Sequence, residues 1–237
     1  MSDIWTIVWK EWRDAILPGG KVEPFRPLVF IALLGLIWPL ITGQQWLKLS
    51  AAMALLTPFF PFFYILNYVG DAFAGERERH TLETLLASRI SDKAILWGKV
   101  IATVGYIWGL AIVASLVGAV VVNVAKGQVP WTFYSPVSGW LGVLLLTLLT
   151  CLLSASGGIL VSLHSATVRQ AQQTLLLGSL GLWIVIYFVV RAVPAQWLQS
   201  ISPSQALLIA MLVLAVLDGI LLAISMASFR RARLILS

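Results

Sequence analysis

Long stretches without a charged residue constrain the fold of this chain more than any other feature of its sequence. The charged residues that bound these stretches are Arg26 and Lys48, Lys48 and Asp71, Lys99 and Lys126, Lys126 and Arg169, and Arg169 and Arg191; beyond Arg191, Asp218 is the only charge before Arg230. A membrane-spanning helix needs about 20 consecutive, mostly apolar residues. Each stretch is long enough for one, so the pattern predicts a polytopic helical membrane protein.

Composition agrees with this assignment. Of the 237 residues, 59% are hydrophobic and 11% are charged, whereas a soluble domain carries about 25% charged residues. The net charge of +6 is interpreted as a signal of orientation in the membrane and not of nucleic-acid binding. The single cysteine, Cys151, cannot form an intrachain disulfide and is interpreted as a packing residue.

The predicted fold class is all-α, with six transmembrane helices. The stretch between Lys126 and Arg169 is ambiguous, because by length alone it could hold two short spans. Its first part, residues 128–136, is rich in proline and aromatic residues and is interpreted as an interfacial loop. Helices are predicted to start at Ser135-Pro136 and at Ser202-Pro203, the second with Gln205 completing a capping box. The predicted spans are 27–43, 50–70, 100–124, 137–162, 171–190 and 203–229.

The basic residues predict the orientation of these helices. Of the 16 lysines and arginines, all but Lys48, Lys126 and Arg191 fall on one side of the membrane in the six-span arrangement. The positive-inside rule places that side in the cytoplasm. Both termini are therefore expected to be cytoplasmic, in the plasma membrane of a bacterium or archaeon.

Residues 2–17 are predicted to form an amphipathic helix that lies at the inner membrane interface. Its apolar face holds Trp5, Val8, Trp9, Trp12 and Ile16, and indole rings favour the interface. The alternative is that this helix packs on the bundle or on a partner. Because charged residues interrupt the segment, it is not interpreted as a cleavable signal peptide.

The one long polar segment, residues 71–98, joins the second and third spans. Leu82, Leu85 and Leu86 lie at helical spacing and form one apolar face on a short helix. One interpretation is a solvated loop with a surface helix. An exposed leucine stripe, however, needs a covering partner, which is either this bundle or a separate soluble protein.

The residues of this segment also carry a family resemblance. They read Gly75-Glu76-Arg77-Glu78, Thr81-Leu82-Glu83 and Leu85-Leu86, followed by Ile90-Ser91 and Gly98-Lys99. This string resembles the signature of type 2 ABC transporter permeases, the membrane subunits of ABC exporters, in which it also joins the second and third spans. Arg89 departs from the pattern, since the family often has proline before the Ile-Ser pair. The resemblance implies that the ATPase-coupling region consists of Glu76, Arg77, Glu78, Thr81, Leu82, Glu83, Leu85 and Leu86.

The resemblance also implies an organisation and a set of partners. Residues 1–237 would form a single permease domain, with 2–17 as the interfacial helix and 71–98 as the cytoplasmic coupling segment. Two ABC ATPase subunits, holding ATP and Mg²⁺, would work with this chain and a second copy of it or a related permease. The chain is not expected to be an enzyme, because neither Gly20-Lys21 nor Gly98-Lys99 fits a phosphate-binding loop. A lipid, a peptide, a drug and an ion all remain open as substrates.

Asp218 is the one acidic residue deep inside a predicted span. A charge there costs about 2.5–3.5 kcal/mol on insertion scales, so Asp218 is a candidate for the translocation path or for a structural polar contact. A rival function is an ion-coupled secondary transporter that uses Asp218, although the internal symmetry typical of that class is not visible. An intramembrane enzyme is disfavoured because no catalytic cluster is apparent. No metal site is expected from His80 and His164. Asn123 and Arg191 lie near the predicted outer ends of helices and are expected to snorkel towards the outer surface.

Overall fold

A computed structural model describes residues 2–16, 25–81, 89–127, 131–192 and 201–228. Six helices in these ranges are long and apolar enough to cross a membrane, which confirms the predicted all-α polytopic fold. We number them spans 1 to 6: Phe25–Leu47, Ala51–Val69, Asp92–Lys126, Val137–His164, Val168–Ala192 and Pro203–Ser228. An N-terminal helix, Ser2–Ile16, precedes them, and a short helix, Ala74–Glu78, follows span 2. The end of the bundle that holds both of these helices is called the proximal end, and the opposite end is called distal.

Span 1 changes its helical geometry along its length. An α-helix, Phe25–Ile31, leads into a π-helical stretch, Ala32–Ile37, and is followed by Trp38–Thr42 and a 3₁₀ turn, Gly43–Leu47. The π-helical stretch contains Gly35, where an added Cβ would lie only 2.7 Å from the carbonyl oxygen of Ala114 in span 3. Glycine at this position therefore lets the backbones of spans 1 and 3 touch, as small residues do at membrane helix crossings.

Serine side chains begin several of the helices. The Ser91 hydroxyl accepts a hydrogen bond from the Ala94 N–H (3.3 Å) at the start of span 3. At the start of span 6, Ser202 and Gln205 exchange side-chain and backbone hydrogen bonds, so the predicted capping box is confirmed. The predicted cap at Ser135 is wrong, because span 4 starts at Val137 with no side-chain cap. Ser135 makes a backbone contact with the end of span 1, where its N–H donates a hydrogen bond to the Leu47 carbonyl (2.8 Å).

Span 3 is longer than the predicted helix at 100–124 and begins eight residues earlier, at Asp92. Residues 92–98 of the predicted coupling segment are therefore helical and belong to this span. The prediction stopped at Lys99 because a charge was taken to mark the end of a span, but Lys99 lies inside the helix and is buried. At 1.5 Å per residue the 35-residue helix is about 50 Å long. It therefore projects beyond a hydrocarbon core of about 30 Å.

Spans 2, 3 and 4 form the core of the bundle. A proximal cluster of buried residues includes Ile65, Phe73, Ile107 and Ile159, and a distal cluster surrounds the fully buried Trp46. Spans 5 and 6 pack at the edge and leave most of their apolar side chains exposed, as expected for helices that face lipid or another membrane subunit.

The N-terminal helix packs on span 3 and also leaves tryptophans exposed. Ile7 and Val8 are buried against the bundle, and the Trp12 indole N–H donates to the Ala102 carbonyl of span 3 (2.8 Å). Trp5 and Trp9, in contrast, are 60% and 63% exposed. The helix therefore has two apolar faces, one bound to the bundle and one suited to the membrane interface. The interfacial location itself stays a prediction.

A buried asparagine closes the distal loop between spans 3 and 4. Asn123 is 2% exposed, and its amide donates to the Ala119 and Thr132 carbonyls at 2.7 and 2.8 Å. Its side-chain oxygen accepts from the Thr132 N–H at 2.8 Å. The expectation that Asn123 snorkels to the surface is therefore wrong, because the loop folds back over its side chain and supplies the polar partners. Arg191 is exposed near the distal end of span 5.

Candidate functional site

A single hydroxyl group organises the turn that leads from span 2 into the coupling segment. The Ser162 oxygen accepts hydrogen bonds from the Phe73 and Ala74 N–H groups (3.1 and 3.0 Å) and donates to the Gly70 carbonyl (3.1 Å). These backbone groups lie past the end of the regular span, where helical partners run out. Span 4 therefore fixes the position from which the short helix Ala74–Glu78 starts.

Glu76 turns inward from that short helix and joins a buried ion cluster. The Lys99 ammonium lies 2.9 Å from Glu76 Oε1 and 3.0 Å from Glu11 Oε1, so it links three separate helices. All three side chains are at most 6% exposed. We call Glu11, Glu76 and Lys99 the buried ion cluster. The half-exposed Lys10 lies 3.6 Å from Glu76 and balances the second carboxylate.

The cluster is sensitive to the loss of its cation. Without Lys99, two buried carboxylates would lie close together with only the half-exposed Lys10 near Glu76, and breaking a buried ion pair from one side costs about 3–5 kcal/mol. The Phe73 ring centroid lies 5.1 Å from the ammonium and adds a cation–π contact. A cavity of about 210 Å³ opens beside the cluster and is lined by Glu11, Lys99 and Asp71, among others.

Arg77 and Glu78 bind the proximal ends of spans 4 and 5. The Arg77 guanidinium donates to the Leu163 carbonyl (3.1 Å) and to the Ser165 carbonyl, which lie at the C-terminal end of span 4. Cations are favoured at such an end by the helix dipole. Glu78 accepts from the Val168 N–H (2.9 Å) and so caps the first turn of span 5. The consecutive residues Glu76, Arg77 and Glu78 thus bind the buried ion cluster, span 4 and span 5, respectively.

A second ion pair closes the segment on its outer side. Arg79 donates to Asp71 Oδ2 (3.0 Å), and this hydrogen bond raises the pKa of the Arg79 guanidinium. Gly75 lies beneath the pair, where an added Cβ would be 1.8 Å from Asp71 Oδ1. His80 has a left-handed backbone (φ 54°) directly after the short helix. Thr81 then bonds back to the Glu76 carbonyl through its N–H (2.9 Å).

Asp218 lies in a different part of the bundle. It is 2% exposed, on the face of span 6 that packs on span 4. Neither carboxyl oxygen has a hydrogen-bond partner within the described part of the chain. Near it on span 6, Leu217, Ile220 and Leu221 line an apolar groove of about 420 Å³ between spans 2, 4, 5 and 6.

Comparison with known proteins identifies the family. The profile described as ABC-2 family transporter protein matches residues 42–228, which is more than half of the chain. The chain belongs to this family. A search of curated proteins found no match. The chain is therefore an integral membrane permease of the ABC-2 type, and the resemblance seen in residues 75–99 is confirmed at the level of the family.

Four of the eight residues assigned to the coupling region of the permease lie within the described structure. Glu76, Arg77, Glu78 and Thr81 are brought together around the short helix at the proximal end. Leu82, Glu83, Leu85 and Leu86 lie outside the described residues. Glu76, Arg77 and Glu78 direct their bonds into the permease itself, so any role they have in coupling acts through the position of the segment. The assignment of all eight to ATPase contact stays a prediction.

Sequence reasoning missed Glu11, Lys99 and Ser162 as parts of this site. A usable signal existed for Lys99, since it stands in the Gly98-Lys99 pair of the family string. An added Cβ at Gly98 would lie 2.7 Å from Ile7, so the glycine lets the N-terminal helix approach span 3. Glu11 and Ser162 are at least 60 positions from the segment in sequence, and no local pattern marks them. Among the described residues, no group of three or more His, Cys, Asp or Glu side chains could hold a metal ion.

Proposed function

We propose that the permease is the membrane half of an ATP-driven exporter and that residues 71–98 form its contact with an ABC ATPase subunit. The family match supports a transporter subunit of the ABC type. The observation that carries the finer proposal is the anchoring of Glu76, Arg77 and Glu78. Through these residues the segment forms an ion pair with the N-terminal helix and is bonded to spans 3, 4 and 5. A force applied to the segment therefore reaches most of the bundle directly.

The proposed complex contains two ATPase subunits and two membrane halves, the second half being another copy of this chain or a related permease. ATP and Mg²⁺ bind to the ATPase subunits, and closure of those subunits displaces the segment. The bundle then switches between two arrangements, open to the proximal and to the distal side, and nucleotide changes their populations. In this proposal the proximal end faces the cytoplasm, as the basic residues predict.

Asp218 has a secondary place in the proposal, as a candidate for the substrate path. Its buried carboxyl has no hydrogen-bond partner among the described residues and lies on a helix that borders the apolar groove. The ABC-2 family match favours ATP as the energy source over ion coupling through this residue. Asp218 would then act on the substrate or on the switch between states, and not as an ion carrier.

The proposal is tested by asking whether an ATPase subunit is recovered with the purified permease. A second question is whether that recovery depends on the apolar face formed by Leu82, Leu85 and Leu86. Burial of one leucine at an interface contributes about 1.5–3 kcal/mol. Changing Leu82 and Leu85 to serine should therefore weaken the association by about two to four powers of ten. The double change Leu82→Met plus Leu85→Met is the matched control, because it keeps the face apolar and should retain the ATPase.

Membrane insertion should be the same in both double variants, since the leucines lie in the polar segment between spans. Quantitative pull-down from membranes solubilised in mild detergent measures the outcome. Equal ATPase recovery from the serine and methionine variants would refute the assigned contact. If no ATPase subunit is recovered even with the parent permease, the proposed function itself is wrong.

A further inference from the structure

The buried ion cluster joins two parts of the permease that are far apart in sequence. Glu11 belongs to the N-terminal helix, whereas Glu76 belongs to the short helix of the coupling segment. Lys99 lies between them and contacts one oxygen of each at 3.0 and 2.9 Å. The lysine therefore links the helix with the exposed tryptophans to the segment that is proposed to contact the ATPase.

Other contacts favour the same connection. Ile7 and Val8 are buried beside the cluster, and Lys10 reaches Glu76 from the exposed side at 3.6 Å. Phe73, immediately before the short helix, is fully buried and lies under the Lys99 ammonium. The N-terminal helix, the coupling segment and the first turns of span 3 are thus joined by both ionic and apolar contacts.

We propose that Lys99 is a positioning residue that makes the N-terminal helix and the coupling segment move as one body when the ATPase acts. The proposal rests on the proposed role of residues 71–98 as the ATPase contact. An N-terminal helix at the membrane surface would then follow every displacement of the segment. Lys99 acts by holding Glu11 and Glu76 together and touches neither nucleotide nor substrate.

The experiment measures the distance between the two parts in different nucleotide states. Arg13 on the N-terminal helix and His80 after the short helix are both exposed. They are replaced by cysteine in a Cys151→Ala background and carry spin labels. Double electron–electron resonance is recorded on the complex with its ATPase subunit, without nucleotide and trapped with MgATP and vanadate.

In the parent complex we expect one narrow distance distribution that shifts by less than about 2 Å between the two states, the range of near-rigid behaviour. In Lys99→Met the distribution should broaden and become dependent on nucleotide. Lys99→Arg, which keeps the charge and can donate to both carboxylates, should restore the narrow distribution. Lys126→Met is the matched control, because Lys126 is an exposed lysine on the same helix and lies outside the coupling segment, and it should behave like the parent.

A neutral triple variant separates positioning from stability. Glu11→Gln, Glu76→Gln and Lys99→Met together leave no uncompensated buried charge, and replacing a complete ionic cluster is often neutral for stability. We expect this variant to be recovered at parental yield, to retain the ATPase subunit, and to keep the broadened distance. It also serves if Lys99→Met alone fails to fold.

Two results would overturn the inference. One is a parent distance that changes by more than about 2 Å between nucleotide states. The other is a triple variant with the parent's narrow distribution. ATPase recovery with the parent is scored in the same preparations. If the parent permease does not recover the ATPase subunit, the proposed function is wrong. If only the positioning role of Lys99 is wrong, the ATPase subunit is still recovered.

Discussion

At the scale of single residues, the permease shows that a charge in a hydrophobic sequence has two different meanings. Lys48 and Lys126 are exposed at helix ends and mark the limits of spans correctly. Lys99 has the same side chain but lies inside span 3, where two carboxylates from other helices neutralise it. The difference depends on partners that are distant in sequence, which is why counting uncharged residues placed the start of span 3 eight residues too late.

Asp218 gives the clearest residue-scale prediction. Leucine has nearly the same shape as aspartate and removes a buried carboxyl group whose oxygens have no hydrogen-bond partner in the described residues. Burial of an unsatisfied polar group costs about 1–3 kcal/mol in proteins. Asp218→Leu should therefore raise the melting temperature by a few degrees, at about 2–4 °C per kcal/mol for a chain of this size. Thermal unfolding of the purified permease in detergent measures the change.

Ser225→Ala is the control on the same helix. The Ser225 hydroxyl is buried and bonds to the Leu221 and Ser156 carbonyls at 2.8 and 3.3 Å. Its loss should leave the melting temperature unchanged or slightly lower. A lower melting temperature for Asp218→Leu would show that the carboxyl group makes stabilising contacts, such as bonds to water or to a second subunit.

Asn123 gives a second residue-scale prediction. Its side chain bonds to Ala119 and to both backbone groups of Thr132, and it is buried. Asn123→Ala removes these hydrogen bonds between span 3 and the loop, and the loss of one typical hydrogen bond costs about 0.5–1.5 kcal/mol. We expect a lower melting temperature and faster hydrogen exchange at Thr132. Asn67→Ala is the comparison, because Asn67 is exposed and makes one side-chain bond, to the Phe63 carbonyl, so its removal should change neither quantity.

At the scale of helices, glycines determine where two helices can approach each other. An added methyl group at Gly98 would lie 2.7 Å from Ile7 and 3.3 Å from the Ile4 carbonyl, so the N-terminal helix would have to shift. Gly109 is on the same span and has nothing within 4 Å of the equivalent position. The two glycines look alike in sequence and differ only in what packs against them.

The pair makes a matched test. Gly98→Ala should destabilise the permease by about 1–3 kcal/mol through overpacking. Gly109→Ala should be neutral or stabilise it by up to about 1 kcal/mol through higher helix propensity. Melting temperatures of the two variants, compared with the parent, decide the matter. Equal stability of both variants would mean that the N-terminal helix does not depend on its contact with span 3.

Helix identity was predictable to a large extent, and helix partners were not. The stretches without charged residues located all six spans, and the capping box at Ser202 and Gln205 was recognisable because its residues are only three apart. The irregular geometry of span 1 left no such signal, because it accompanies a contact between Gly35 and Ala114 that only the folded bundle creates. The polar residues between spans 2 and 3 indicated the segment at 71–98, of which residues 92–98 belong to span 3. The inward direction of Glu76 was not predictable, because it depends on Glu11 and Lys99.

At the scale of the whole molecule, the permease is asymmetric between its two ends. The proximal end holds the N-terminal helix, the buried ion cluster and the bonds from Arg77 and Glu78 to spans 4 and 5. The distal end holds short connections, closed by Asn123 and by the stacked rings of Tyr134 and Trp140, 5.3 Å apart. Burial raises the pKa of the Tyr134 hydroxyl, which donates to the Ser115 carbonyl (2.7 Å). The described residues of the proposed ATPase contact therefore lie at the proximal end, and the proposed function requires that end to face the ATP-containing compartment.

That requirement gives the last prediction, which concerns orientation. Lys48 and Lys126 are exposed at the distal end, and Arg13 and Arg79 are at least partly exposed at the proximal end. Single cysteines at these four positions, in a Cys151→Ala background, report which side each residue occupies. Because basic residues are retained in the cytoplasm, a membrane-impermeant maleimide added to intact cells should label only the two distal cysteines. Permeabilised cells should label all four and so establish that each site is reactive. Labelling of Arg13→Cys or Arg79→Cys in intact cells would place the coupling segment outside, where no ATPase could reach it, and the proposed exporter would have to be abandoned.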